Sequence, residues 1–204
     1  MTDSREPKAT ARRRVAVREI LDAAWELMAR EGVAEVSVRE VARSVGLRQQ
    51  SLTYYFPTKH ALLDALFADG FTDLGKVFDE LPETDDTVQA VVDLAVAVVE
   101  YCVTHPARYH LMFQRTIPGF QPTDESHGVA LGVLSGLMSR LDAAGITDPG
   151  DVALIRSLIS GLAAEQTAND PGGRFFAEQT SRGIRALVTA ALAQPARNAT
   201  QASD

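Results

Sequence analysis

The sequence holds a single cysteine, Cys102, so no disulfide can form within the chain. Residues 1–15 are polar and charged, without the apolar core of a secretory leader. The longest apolar stretch, Val88–Val103, is interrupted by Asp93 and Glu100 and falls short of the roughly 20 residues a bilayer span needs. No segment alternates apolar and polar residues for long, so strands are not expected, and no internal repeat is visible. The familiar catalytic patterns G-x-S-x-G, H-E-x-x-H and the Gly-rich phosphate loop are missing. Gly132, Ser135 and Gly136 superficially resemble a nucleophile elbow, but they sit in a helical pattern with no strand before them. Cys102, His105 and His110 read as a buried thiol and helix-end histidines, not as metal ligands. These absences lead us to expect a reduced, cytoplasmic, all-α protein that is not an enzyme and needs no cofactor.

What is present is distributed unevenly. The 204 residues carry a net charge of −7 and are 46% hydrophobic, enough apolar material for a sizeable core. Residues 1–60 hold 11 Lys/Arg against 8 Asp/Glu, whereas residues 61–204 hold 9 against 19. A basic head on an acidic body suits a polyanion partner at the head alone.

Helical periodicity runs through the chain. Residues 1–12 lack it and are expected to form a disordered basic arm. The triplet Arg12, Arg13, Arg14 there can lie on phosphates, reach a minor groove, or simply solubilise the terminus. A first helix is expected over 13–31, with Ile20, Leu21, Ala24, Leu27 and Met28 on its inner face. Trp25 flanks that stripe as core. Ser37 and Glu40 have the spacing of a capping box and start a second helix, flanked by Val36 and Val41 as a staple. Gly46 suits a tight turn, with Leu47 expected to anchor it in the core. A third helix spans 49–55, and its Leu52 and Phe56 point inward. Further helices are expected over 58–81, 87–104, 107–117, 124–144, 149–169 and 174–193, and the tail over 195–204 is expected to be flexible.

The pair of short helices around Gly46 fits a helix-turn-helix, in which the second helix enters a major groove. Gln49 and Gln50 can each pair bidentately with adenine, and Arg48 with guanine or a phosphate. Thr53 can touch a thymine methyl, and the hydroxyls of Tyr54 and Tyr55 can reach phosphates. Lys59 lies where a following helix already favours an anion. An alternative, a helical adaptor that binds only protein, explains the body and leaves the basic head without a role.

Two strings carry a family resemblance. The first is Ser37, Val41, Ala42, Val45, Gly46 and Leu47; the second is Leu52, Tyr55, Phe56, Lys59, Leu62 and Leu63. With the first-helix pattern around Ile20 to Gly32, they resemble the DNA-binding domain of the tetracycline-repressor (TetR) family over about residues 13–66. The resemblance implies a homodimer with a helix-turn-helix DNA-binding domain at 13–60 and a ligand-binding and dimerisation domain at 61–194. Repression is the family default, with release by a small-molecule effector, and a two-fold dimer whose heads lie roughly one helical turn of DNA apart calls for a near-palindromic duplex operator; Ser37 joins the DNA-binding set. Three positions depart from the family's usual pattern: Arg48 where Ser or Thr caps the third helix, Gln50 where a small residue is common, and Thr53 where Tyr is usual. All three lie on the reading face, so an altered operator preference is expected.

In the body, Ile155, Leu158, Ile159 and Leu162 form one stripe, and Phe176, Ile184, Leu187 and Val188 another. Two such helices from each protomer would make a four-helix dimer interface. Phe67, Phe71, Tyr101, His105, Tyr109, Met112, Phe113 and Arg115 are the ligand-binding candidates. Their aromatic composition suits an apolar or amphipathic effector. The helix over 58–81 is the expected lever between effector and DNA.

Overall fold

The computed structural model describes residues 8–114 and 116–193. Among these residues there are nine α-helices, one 3-10 turn and no strand. The helices are α1 (Lys8–Glu31), α2 (Val38–Ser44), α3 (Gln49–Tyr55), α4 (Lys59–Asp79), α5 (Thr87–Thr104), α6 (Pro106–Phe113), α7 (Asp124–Ala143), α8 (Pro149–Asn169) and α9 (Thr180–Leu192).

Short polar side chains set most of the starts. Ser37 Oγ accepts the Glu40 N–H at 3.3 Å, and Asp86 Oδ1 accepts that of Gln89 at 3.0 Å. Asp148 Oδ1 takes the N–H groups of Gly150 and Asp151 at 2.9 and 3.1 Å, with Pro149 in the first turn. Gly46, at φ 67°, ends α2 in the left-handed region, and the Leu47 N–H returns to the Ala42 carbonyl at 2.8 Å.

Three boundaries differ from the sequence expectation. α1 begins at Lys8 instead of Arg13, because Ala9, Ala11 and Arg12 are strong helix formers that extend it beyond its apolar stripe. Of the arm expected to be disordered, residues 8–12 are therefore helical; residues 1–7, like the tail from 194, lie outside the described residues. α6 stops at Phe113 instead of Ile117, in keeping with the bias against helix just before Pro118. The last helix starts at Thr180 instead of Arg174, after a 3-10 turn over Ala177–Gln179.

Gln166 explains that late start. Its side chain is buried, and Oε1 accepts the N–H groups of Phe176 and Ala177 at 2.9 and 3.0 Å. Its Nε2 donates to the carbonyl and carboxylate of Asp170. The Asp170 carboxylate also accepts the Phe175 N–H at 3.0 Å. These bonds, the one from Gln166 foremost, hold the Asp170 carboxyl below its ordinary pKa. Backbone donors that would open a helix are thus satisfied sideways, and the segment turns instead.

The chain divides into two compact units. The first runs to Gly70 and includes Ala107–His127. Its core joins Ile20, Ala24 and Met28 of α1 with Val41, Leu52, Leu62, Leu66 and Leu111. By its packing, this unit extends past residue 60 to Gly70 and takes in a later segment of chain. A three-helix head of some fifty residues buries too little apolar surface alone, and α4 and α6 close its open side. Gly70 marks how closely they approach: a Cβ there would meet Met112 Sδ at 2.5 Å. Asp64 accepts the Thr123 N–H and hydroxyl at 2.7 and 3.0 Å and the Ser126 hydroxyl at 2.8 Å. Asp69 accepts Trp25 Nε1 at 2.8 Å and both terminal nitrogens of Arg18. The hydrogen bond to Asp69 is the main reason the Arg18 pKa is raised.

The second unit comprises residues 71–106 and those from Gly128 onward. α5 lies at its centre, packed against α8 and α9. It is the one described helix apolar enough by composition to cross a membrane, yet Val91, Leu94, Ala95, Val99 and Cys102 are buried in the unit. Its two carboxylates are also held: Asp93 by Gln89 Nε2 at 2.6 Å, and Glu100 by Arg174.

Burial raises the Cys102 pKa from 9.0 to about 12. Maleimide is expected to leave this thiol unmodified in the native protein at pH 8 and to label it in urea; rapid native labelling would contradict the packing. Between about 9 and about 12 the unfolded thiol has lost a proton that the folded one keeps. This residue's contribution to stability should therefore fall as pH rises through that window.

Candidate nucleic-acid interface

α3 rests on the head through Leu52, which is fully buried, and through Phe56 just beyond its end. That anchorage turns Gln49, Gln50, Thr53 and Tyr54 outward; all four are exposed, Tyr54 by 76%. Arg48 is exposed at the N-cap of α3 and makes no side-chain cap. The expected reading face therefore stands together on one surface. Thr53 Oγ1 donates back to the Gln49 carbonyl at 2.8 Å, which fixes its rotamer and leaves its methyl and lone pairs for a partner.

Four of these residues have surroundings that spacing alone does not reveal. Ser37 accepts from the Glu40 N–H and donates to the Glu40 carboxylate at 2.6 Å. The one hydroxyl proton is thereby used, so Ser37 builds α2 and has none to offer a phosphate. Lys59 donates one of its three protons to the Ala34 carbonyl at 2.8 Å, tying α4 to the loop before α2. Tyr55 is half-buried, edge-to-face with Tyr54 at 5.4 Å and 86°. Leu47 does not anchor the turn in the core: its side chain is 36% exposed. The backbone bond to Ala42 closes the turn without it.

Leu47 instead lines a groove of about 620 Å³ with Ser37, Arg39, Glu40, Arg43 and Gln49. Arg39 and Arg43 were not among the expected DNA contacts. Their i, i+4 spacing on the exposed face of α2, opposite Val41, is the signal that could have found them. Both adjoin the start of α3, where a duplex backbone would flank the reading helix.

The effector candidates divide between the two units. In the first, Phe67, Tyr109 and Met112 are buried and Phe113 is half-buried. Phe67 meets Phe120 edge-on at 6.4 Å, and the Tyr109 hydroxyl accepts from Gln114 Nε2. In the second, Phe71 and Tyr101 are buried, and the Tyr101 ring stacks on that of His105 at 5.0 Å. Arg115 lies outside the described residues. A further concavity of about 600 Å³ in the second unit is walled by Leu81, Glu83, Asp85, Asp93 and Arg140, none of them an expected ligand contact.

The dimer candidates separate by face. Ile155, Ile159, Ile184 and Val188 are buried within the subunit, so their side chains are not available to a partner. Leu158, Leu162, Phe176 and Leu187 are half-buried. Leu154, which the stripe omitted, is 57% exposed, and Phe175 is also exposed. α8 is apolar around much of its circumference, so periodicity alone did not distinguish the inward face from the outward one.

Comparison with known proteins agrees with this architecture. The family described as bacterial regulatory proteins, tetR family, matches residues 20–66. A tetracyclin repressor-like C-terminal domain matches residues 91–190. HTH-type transcriptional regulators of Mycobacterium bovis and Mycobacterium tuberculosis are 34% identical over 129 residues, 60% of this chain and 53% of theirs. The chain thus spans about half the length of the curated relatives it matches. Among solved structures, a protein of unknown function from Rhodococcus sp. RHA1 superposes with TM-score 0.70 at 20% identity, covering 93% of this chain and 98% of that one. The TetR family transcriptional regulator PfmR of Thermus thermophilus gives 0.59 at 21%, covering 86% and 99%. At these identities the likeness is one of fold.

Proposed function

This chain belongs to the tetR family of bacterial regulatory proteins, and from that membership we propose that it is a homodimeric, ligand-responsive repressor of transcription acting in the cytoplasm. Each head lays α3 in a major groove, with Gln49, Gln50 and Arg48 at base edges and Thr53 and Tyr54 beside them. Arg39, Arg43 and the two free protons of Lys59 supply phosphate contacts that set register. The observation that carries this reading is the clean division of α3, with Leu52 fully buried and Gln49, Gln50, Thr53 and Tyr54 exposed opposite it.

The dimer forms through the outward faces of α8 and α9. Leu154, Leu158 and Leu187 supply apolar area there, and Gly161, open on its outer side, permits close approach. Two heads related by a two-fold axis call for a near-palindromic operator with half-sites about one helical turn apart. An apolar or amphipathic effector releases the operator by binding one arrangement of the heads more tightly than the other.

Selection from random duplexes tests this directly. A near-palindrome should emerge, with affinity falling steeply as salt rises. Repeating the selection with candidate apolar ligands should weaken binding for the effector. Failure to enrich any sequence, or enrichment of a single half-site, would remove the homodimeric operator reading.

A further inference from the structure

α1 continues past its apolar stripe to Lys8 and carries Arg12, Arg13 and Arg14 on its exposed side. The Arg13 guanidinium lies over the Tyr55 ring, 5.9 Å from its centroid, within the range of a cation–π contact. Tyr55 packs against the core of the head and also meets Tyr54 edge-to-face. Tyr54 is the most exposed large apolar side chain of α3. A cation borne on α1 is therefore held beside the exposed C-terminal end of the reading helix.

We propose that Arg13 is a phosphate ligand for the duplex and that Tyr55 is its positioning residue, acting through its ring face and not through its hydroxyl. This rests on the duplex-binding function proposed above. A guanidinium can stack on an aromatic face and still present N–H groups at its edge, geometry that an ammonium lacks. Holding it there before binding reduces the side-chain entropy lost on contact. Phosphate is the target because a helix about 10–12 Å across does not enter a minor groove about 6 Å wide. The minor-groove route that the arginine triplet left open requires an extended arm, and Arg13 is helical.

The test compares the wild-type chain with Arg13→Ala, Arg13→Lys, Tyr55→Phe, Tyr55→Leu and the Arg13→Ala/Tyr55→Leu pair. Each is titrated with salt on the selected operator and on a random duplex, with its melting temperature recorded. Arg13→Ala should weaken both duplexes alike, by about tenfold per head near 0.1 M salt, and lower the log–log salt slope by about 1 per head. Tyr55→Phe should match wild type. Tyr55→Leu should reproduce part of the Arg13→Ala loss and add nothing in its background; Arg13→Lys should fall between Arg13→Ala and wild type. An unchanged salt slope in Arg13→Ala, additive effects of the pair, or equal damage by Tyr55→Phe and Tyr55→Leu would overturn the assignment. If Tyr55→Leu does not fold, Arg13→Ala and Tyr55→Phe decide it. Absence of salt-dependent duplex binding by the wild type would sink the proposed function itself, and this inference with it.

Discussion

Replacing Gln49 and Gln50 together with Ala is expected to erase most of the preference for operator over random duplex while leaving stability intact. Both side chains are exposed and neither belongs to the core of the head. Ala is the best helix former, so α3 should survive. Each lost bidentate contact with adenine costs about 1–3 kcal/mol of discrimination, which is about fivefold to 150-fold in affinity per contact. In the proposed two-fold dimer each contact is made twice, so the operator should lose more than one head's share. Random duplex should be bound nearly as before, because the phosphate contacts come from other residues. Competition binding at fixed salt reads both quantities. Equal losses on operator and random duplex would place the two glutamines on the backbone instead of the bases. Leu52→Ala is the contrasting control: that side chain is fully buried, so its loss should cost about 2–5 kcal/mol of folding stability.

Gln166→Leu is expected to be among the most destabilising single changes in the second unit. The substitution nearly preserves volume and removes the acceptor for two backbone N–H groups, those of Phe176 and Ala177. Leaving two such donors unpaired, one buried and one partly buried, at about 1–3 kcal/mol each should cost about 2–6 kcal/mol in total, read by urea unfolding at fixed protein concentration. Amide exchange should accelerate at Phe176 and Ala177 before it does along α5. Gln166→Glu separates the two halves of the amide. Its carboxylate can accept both N–H groups but cannot donate to Asp170, and it faces that residue's charge. Its deficit should therefore shrink on mild acidification, as one of the two carboxyls takes a proton. A Leu variant within about 0.5 kcal/mol of wild type, the spread of ordinary surface substitutions, would show that water replaces the amide.

The elements that the sequence made legible are those written locally. Ser37 and Asp148 announce their helices through their own side chains, and each caps the helix that follows it. The stripe through Ile20, Ala24 and Met28 marks an inner face because its opposite side is charged. Four features were not legible, each for its own reason. Gln166 reaches backbone groups far along the chain, and a backbone acceptor site has no letter in the sequence. Lys59 is tied to the Ala34 carbonyl in the same way. Leu47 looked like an anchor because it is apolar and follows a turn, yet a backbone bond closes that turn and leaves the side chain outside. Helix α1 outran its periodic stripe because propensity alone carried its first residues.

The way residues 107–127 pack has a practical consequence for modularity. The unit that carries α3 is continuous in space but discontinuous in sequence, since α6 and the loop after it complete the core that α1 to α4 begin. A fragment cut after α4 would leave bare the apolar surface that Ala107 and Leu111 cover, about 1.5–3 kcal/mol for the leucine alone. It would also strip from Asp64 the three hydrogen bonds supplied by Thr123 and Ser126. Grafting this reading head onto another body therefore means moving two separate pieces of chain together. A chimera joined at residue 60 or 80 would inherit the right reading residues on an unfinished core.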